Sequence, residues 1–183
     1  MGRTYSGLSA AERVAERRGR LLDAALDLIG SEGGWGSATM TAICRRAGLT
    51  ERYFYESFRD RDALYVALLD ALAAEVERAV LGALRRGGIE ASARALLDVL
   101  LGDPRKGRAA LLEGLGSEVA QRRRREVLAS FERLALEVGT APSQLAAVAL
   151  VGAVDELLTR RLDGTLDVSD DELVAAIVRL ATP

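Results

Sequence analysis

The sequence predicts an all-α protein, and three observations carry that reading. Ala, Leu, Arg and Glu dominate a chain that is 49% apolar and holds 3 prolines in 183 residues; the first four are strong helix formers and proline is the strongest breaker. Apolar residues recur at three- and four-residue spacing through most of the length. Helix-start signals recur as well: Ser9 with Glu12, and Ser169 with Glu172, stand at capping-box spacing. No stretch makes a convincing strand.

A first helix is expected to begin near Ala10, with Val14, Leu21, Leu22, Ala25, Leu26 and Ile29 inward and Gly33-Gly34 as its end. Trp35, a lone aromatic between glycines, is expected to pack down onto a small core. Two short helices follow, Met40 to Arg46 and Thr50 to Phe58, separated by Ala47-Gly48. That spacing, with the turn at a glycine, is a helix-turn-helix, and its second helix is shaped to enter a DNA major groove. Asp60 suits the N-cap of a long helix over 61–86, with Leu64, Leu68, Leu72, Val76 and Val80 inward and Gly87-Gly88 stopping it. A helix over 89–101 leads to Gly102-Asp103-Pro104, which reads as stop, N-cap and first-turn proline. Next come a short helix over 105–115, ended by Gly114 and Gly116, and one over 117–138. Pro142-Ser143 opens another that reaches Asp163-Gly164, and a last one runs from the second capping box to about Ala181. The count is about nine helices. The expected division is a helix-turn-helix head at residues 1–64 and a helical body at 65–183. No flexible linker lies between them, so the two parts should be mechanically coupled.

Composition narrows the function classes. No apolar run reaches the length of about 20 residues that a membrane span needs. The first residues lack the apolar core of a secretory signal. Gly2 and Ser6 fit a myristoylation pattern, but no second membrane signal supports it. The chain has one cysteine and no histidine, so an internal disulfide is excluded and a reducing cytoplasm fits. Metal sites and acid–base catalysis lose their usual residue; no cofactor and no enzyme activity is expected. Cys44 falls where the first short helix should face inward, as a small core hydrophobe. The formal net charge is −2, but its distribution matters more than its sum. Arg3, Arg13, Arg17, Arg18 and Arg20 face only Glu12 and Glu16 early in the chain; Arg45, Arg46, Arg52, Arg59 and Arg61 cluster around the helix-turn-helix; acid is in excess between Asp163 and Glu172. A basic end on an acidic body is compatible with phosphate binding.

From about Arg18 to Leu69 the sequence resembles the tetracycline-repressor-like (TetR) family of bacterial transcription regulators. The residues that carry the resemblance are Leu21, Leu22, Ala24, Ala25, Leu26, Leu28 and Ile29 in the first helix, Thr39 to Cys44, the turn Ala47-Gly48-Leu49-Thr50, the pair Tyr55 and Phe58, and a basic residue, Arg61, opening the long helix. The resemblance implies a three-helix head joined by that long helix to a ligand-binding and dimer-forming helical domain. It implies phosphate contacts from Thr39, Thr50, Tyr55 and Arg61, consistent with helix N-termini that welcome anions and with the forked guanidinium. Base reading is expected from Thr41, Arg45, Glu51, Arg52 and Tyr53, with Arg52 suited to O6 and N7 of guanine. The family often has Gly or Pro where this chain has Arg52, a small residue where it has Tyr53, and histidine where it has Ser57. The operator therefore cannot be borrowed from relatives.

For the body, the wall of a ligand cavity is expected from Leu68, Leu72, Leu97, Leu100, Leu112, Phe131 and Leu134, all of which are core residues in any arrangement. Arg124, within an arginine run over 122–125, falls on or beside the apolar line of its helix. It either snorkels or pairs with the long helix, or meets an anionic ligand, or makes a second nucleic-acid contact. With polar anchors sparse, an apolar small-molecule effector is expected. The helix that starts at Ser143 is apolar nearly all round in its first half and needs cover on two sides. A homodimer interface is accordingly expected from Leu145, Val148, Val151, Gly152, Leu173, Ile177 and Leu180. Symmetric heads then call for a near-palindromic duplex operator. The competing readings are a ligand-blind architectural DNA-binding protein, separable by footprinting for sequence preference, and a helical small-molecule carrier, which has no use for Arg52, Tyr53 and Tyr55 on one short helix.

Overall fold

Most helix starts in this chain are set by side-chain oxygens that accept otherwise unpaired backbone N–H groups. The computed structural model describes residues 9–30, 34–113 and 117–181; the readings placed on Gly2, Arg3, Ser6, Gly33, Gly114 and Gly116 lie outside them. Both capping boxes close reciprocally. The Ser9 N–H donates to Glu12 Oε2 at 2.7 Å and the Glu12 N–H to Ser9 Oγ at 3.2 Å; the Ser169 N–H donates to Glu172 Oε2 at 2.8 Å and the Glu172 N–H to Ser169 Oγ at 3.3 Å. Thr39, Asp60, Ser117 and Ser143 cap single starts by accepting from Ala42, Ala63, Ala120 and Ala146. Each such cap stabilises by about 1 kcal/mol.

The resulting elements are α1 (Ala10–Gly30), α2 (Gly34–Ser37), α3 (Met40–Ala47), α4 (Glu51–Ser57), α5 (Arg61–Leu100), α6 (Pro104–Gly107), α7 (Glu118–Glu137), α8 (Gln144–Leu162) and α9 (Asp170–Ala181). There are thus nine helices and no strand among the described residues. The single turn α2, which holds Trp35, is absent from the sequence reading. So is the π-helical turn Arg108–Leu112, into which α6 runs without a break. The stop expected at Gly87-Gly88 is a bend within α5, where Gly88 has φ 70° and ψ −161°. A straight helix separates residues twelve apart by about 18 Å, yet Ser92 Oγ donates to the Val80 carbonyl at 3.2 Å. The second arm of α5 therefore folds back on the first.

The apolar core crosses the expected boundary at residue 64. One cluster joins Leu21 and Ile29 of α1, Ile43 and Cys44 of α3 and Phe54 of α4 to Leu64, Leu68 and Leu72 of α5, and it takes in Ala109 and Ala120 from the body. Trp35 is 8% exposed and stacks at 4.6 Å on Tyr65, so it does plug the small core. Val14 differs from expectation: it is 41% exposed and belongs to none of the apolar clusters, the first buried residue of α1 being Leu21. A second cluster packs Val76, Leu97, Leu100 and Leu158 against Leu173, Val174 and Ile177 of α9. This corrects the assignment of Leu173 and Ile177 to a dimer interface. They are 1% and 6% exposed, because their stripe is what attaches α9 to α5 within one protomer.

Candidate functional site

The turn between α3 and α4 is closed by Gly48, whose φ of 62° suits a residue without Cβ. Its N–H donates to the Arg45 carbonyl at 3.2 Å, and the Leu49 N–H donates to the Cys44 carbonyl at 2.9 Å. Arg20 reaches from α1 behind this turn, donating through Nε to the Ala47 carbonyl at 3.1 Å and through Nη2 to the Gly48 carbonyl at 3.3 Å. Arg18 Nη1 donates to the Ser57 carbonyl at 3.1 Å, and its guanidinium lies 4.3 Å from the centre of the Phe58 ring. Arg17 lies 4.5 Å from the Tyr53 ring centre and pairs with Glu56 at 3.6 Å. Arginines that the charge pattern suggested for phosphate attraction thus hold the helix-turn-helix from behind. A signal existed: two short helices end in carbonyls with no intrahelical donor, and nearby cations satisfy them. Replacing Arg20 by alanine should cost about 1.5–3 kcal/mol, the worth of charged hydrogen bonds to carbonyls. Urea denaturation of the variant measures it, and an unchanged midpoint would show that the clamp is dispensable.

With its rear held, α4 turns Phe54 and Phe58 inward, at 0% and 4% exposed, and leaves Glu51, Arg52 and Tyr55 exposed. The Arg52 side chain is 84% exposed and pairs with Glu56 at 3.2 Å. An exposed pair of this spacing is worth only about 0.3–0.5 kcal/mol, so it yields readily to a stronger acceptor. Thr50 caps α4 without a side-chain hydrogen bond, which leaves its hydroxyl available. The Thr39 hydroxyl accepts from Ala42, and its own proton stays available to an acceptor. Thr41 Oγ1 donates to Glu51 Oε1 at 3.2 Å and ties α3 to α4. Arg45 is exposed, whereas Arg46 is bound to Asp27 Oδ2 through Nε at 3.0 Å and Nη2 at 2.8 Å. Tyr53 is half-buried, as is Arg61, whose guanidinium lies 4.4 Å from the Trp35 ring centre; a stacked guanidinium keeps its N–H edges for hydrogen bonds. Cys44 is 4% exposed and burial, followed by the Glu51 charge, pushes its thiol up, as suits a core residue rather than a reactive one.

The head meets the body through polar contacts that local sequence does not announce. Asp27 accepts from Arg46 on one oxygen and from Arg105 of α6 on the other. Arg46 foremost, and Arg105 after it, hold its carboxyl below the ordinary carboxylate range against partial burial. Glu113 accepts from the Trp35 N–H at 2.9 Å, and the Tyr65 hydroxyl donates to the Ala109 carbonyl at 2.6 Å.

Beyond this junction lies a cavity of about 220 Å³ between both arms of α5, the π-helical turn, α7, α8 and α9. Leu72, Leu100, Arg124, Phe131 and Leu134 are on its wall. Leu68, Leu97 and Leu112 are not, and Leu69, Leu96 and Leu111 stand there instead. A slip of one residue is a rotation of about 100° on a helix. Leu68 and Leu97 are buried but off the cavity wall, while the wider π-helical turn shifts the phase before Leu112. Arg124 does form an ion pair, but not with the long helix: its Nη2 contacts Asp155 of α8 at 2.8 and 2.9 Å. The sequence reading missed Asp155, although an acid in a mostly apolar helix is the available signal. On the outside, Leu145 is 83%, Val148 46% and Leu180 45% exposed, and Gly152 is exposed too; Val151 is half-buried and faces the cavity. Among the described residues no group of three or more potential ligands could hold a metal, and no helix is long and apolar enough to cross a membrane.

Residues 21–68 match the sequence model of bacterial regulatory proteins of the tetR family. No curated protein matches the chain. Among solved structures, the fold is similar to that of the fatty acid degradation regulator FadR from Bacillus halodurans, with a TM-score of 0.73 at 20% identity over 90% of this chain and 94% of that one. It is also similar to a TetR-like transcriptional regulator from Rhodococcus sp. RHA1, with a TM-score of 0.66 at 20% identity over 96% of each chain. A TetR family transcription regulator from Marinobacter aquaeolei VT8 gives 0.65 at 19% identity over 93% and 96%.

Proposed function

We propose that this chain, which carries the amino-terminal domain of the tetR family of bacterial regulatory proteins at residues 21–68, is a ligand-responsive transcriptional repressor. It works in the cytoplasm as a homodimer on a near-palindromic duplex operator. The head is residues 1–64 and the ligand-binding, dimer-forming body residues 65–183. The observation that carries the reading is the division of α4, whose aromatic side Phe54 and Phe58 is buried while Arg52 and Tyr55 stay exposed on a helix fixed from behind. In this reading Thr39, Thr50, Tyr55 and Arg61 hold phosphates and set the register, and Thr41, Arg45, Glu51, Arg52 and Tyr53 meet base edges.

Control follows from differential affinity: a ligand shifts the heads only if it binds one arrangement of the body more tightly. The π-helical turn supports such coupling. Ala110 and Leu111 stand on the cavity wall, while Ala109 and Glu113 in the same stretch hold Tyr65 and Trp35. A ligand that moves this turn pulls on the base of the helix-turn-helix.

Selection of bound duplexes from a random pool should return a two-fold symmetric site. The same selection with Arg52→Ala should return a site degenerate at one base pair per half, with discrimination there reduced by about 1–3 kcal/mol. Asymmetric or non-specific recovery with the native protein would overturn the reading, and an unchanged site with the variant would remove Arg52 from base recognition.

A further inference from the structure

The cavity wall is apolar apart from Ser92, Arg124, Thr140 and Asp155. Two of these have their protons engaged: Ser92 donates to the Val80 carbonyl at 3.2 Å and Thr140 to the Ala135 carbonyl at 3.2 Å. Arg124 directs Nη2 to both oxygens of Asp155, at 2.8 and 2.9 Å, and Nε to the Ala110 carbonyl at 3.4 Å. Its Nη1 has no acceptor among the described residues. The pair is partly withdrawn from water, with the two side chains 25% and 19% exposed.

From this arrangement we infer that the effector is an uncharged, mainly apolar molecule with one oxygen acceptor, such as an alcohol, ether, ester or ketone, and that Asp155 is the residue that turns anions away. The inference rests on the cavity being the effector site, as proposed above. Arg124 and Asp155 together carry no net charge. A neutral oxygen can accept from the unused guanidinium N–H and leave the pair intact. A carboxylate in the same place either displaces Asp155 or adds an uncompensated negative charge beside it in a cavity walled mostly by apolar side chains, and both are costly. An ammonium meets the same obstacle from Arg124. Because Arg124 also holds Ala110 of the π-helical turn, an oxygen seated there acts one bond away from the junction with the head.

The test uses the full chain and Nile red, an uncharged dye, displaced by decanol, decanoate or decylammonium at a pH where the last two are charged. Decanol should displace the dye at a concentration lower by about tenfold or more than either ion, the scale of one poorly compensated charge. Asp155→Asn should shift the preference toward decanoate by about tenfold, because Arg124 is then unopposed. The double variant Arg124→Gln, Asp155→Asn should return it to decanol. Equal affinity of the native protein for decanol and decanoate, or an unaltered ratio in a folded Asp155→Asn variant, overturns the inference while leaving the cavity as effector site. If neither the dye nor any of the three ligands binds saturably, the effector-site reading itself falls, and the inference with it. Should Asp155→Asn fail to fold, the native protein's ranking of the three ligands decides.

Discussion

Val148→Glu should give a monomer whose affinity for a two-half-site operator is lower by about 100-fold or more, the loss expected when one of two linked contacts is surrendered. Leu145, Val148 and Gly152 are spaced to share one side of α8, and all are exposed, Leu145 to 83%. An apolar row left in water on a helix whose other side is packed calls for a partner surface, and a second copy of the same row is the two-fold solution. In the proposed dimer, glutamate in that row would be buried against its own symmetry mate, where nothing compensates it. Val148 is the better position for the test than Val151, which lies on the cavity wall and would confound assembly with ligand binding. Light scattering and operator titration measure the two effects separately. A variant that remains dimeric would move the interface off this side of α8.

Phe54→Ala should destabilise the protein by about 3–5 kcal/mol, the range for deleting a buried aromatic side chain. That is a large share of the roughly 5–15 kcal/mol that ordinary domains possess. Phe54 is 0% exposed and sits in the cluster that joins α1, α3 and α4 to the start of α5. It is the residue that anchors α4, since the short helix forms few hydrogen bonds of its own and cannot persist in isolation. DNA binding should disappear before the body unfolds. Urea melts monitored by tryptophan emission, with Trp35 as the only tryptophan, report on this cluster directly. A loss under about 1 kcal/mol would mean that α4 is held by the clamps of Arg17, Arg18 and Arg20 rather than by its aromatic side.

Much of the architecture was legible because its causes are local. Ser9, Thr39, Asp60, Ser117, Ser143 and Ser169 announce helix starts through atoms three residues away. Gly48 and Gly88 mark changes of direction through conformations that a Cβ disfavours. The helix-turn-helix was readable for the same reason: inward and outward positions on so short a segment follow from helical period alone. The cavity was harder. Residues such as Leu96 and Leu97 are equally apolar, and which of them faces the cavity depends on rotation against neighbours distant in sequence.

The sequence alone determined most of the helices, several of their caps and the α3–α4 turn, since each depends on backbone chemistry and period within a few residues, but not α2, the π-helical turn or the fold-back within α5. Only the tertiary structure decided that Arg18 and Arg20 serve carbonyls of the head, that Asp27 joins Arg46 to Arg105, that Asp155 balances Arg124, and that Leu173 and Ile177 are internal. Long side chains choose partners by proximity in space. A charge or a leucine carries no local mark of which distant helix will lie against it.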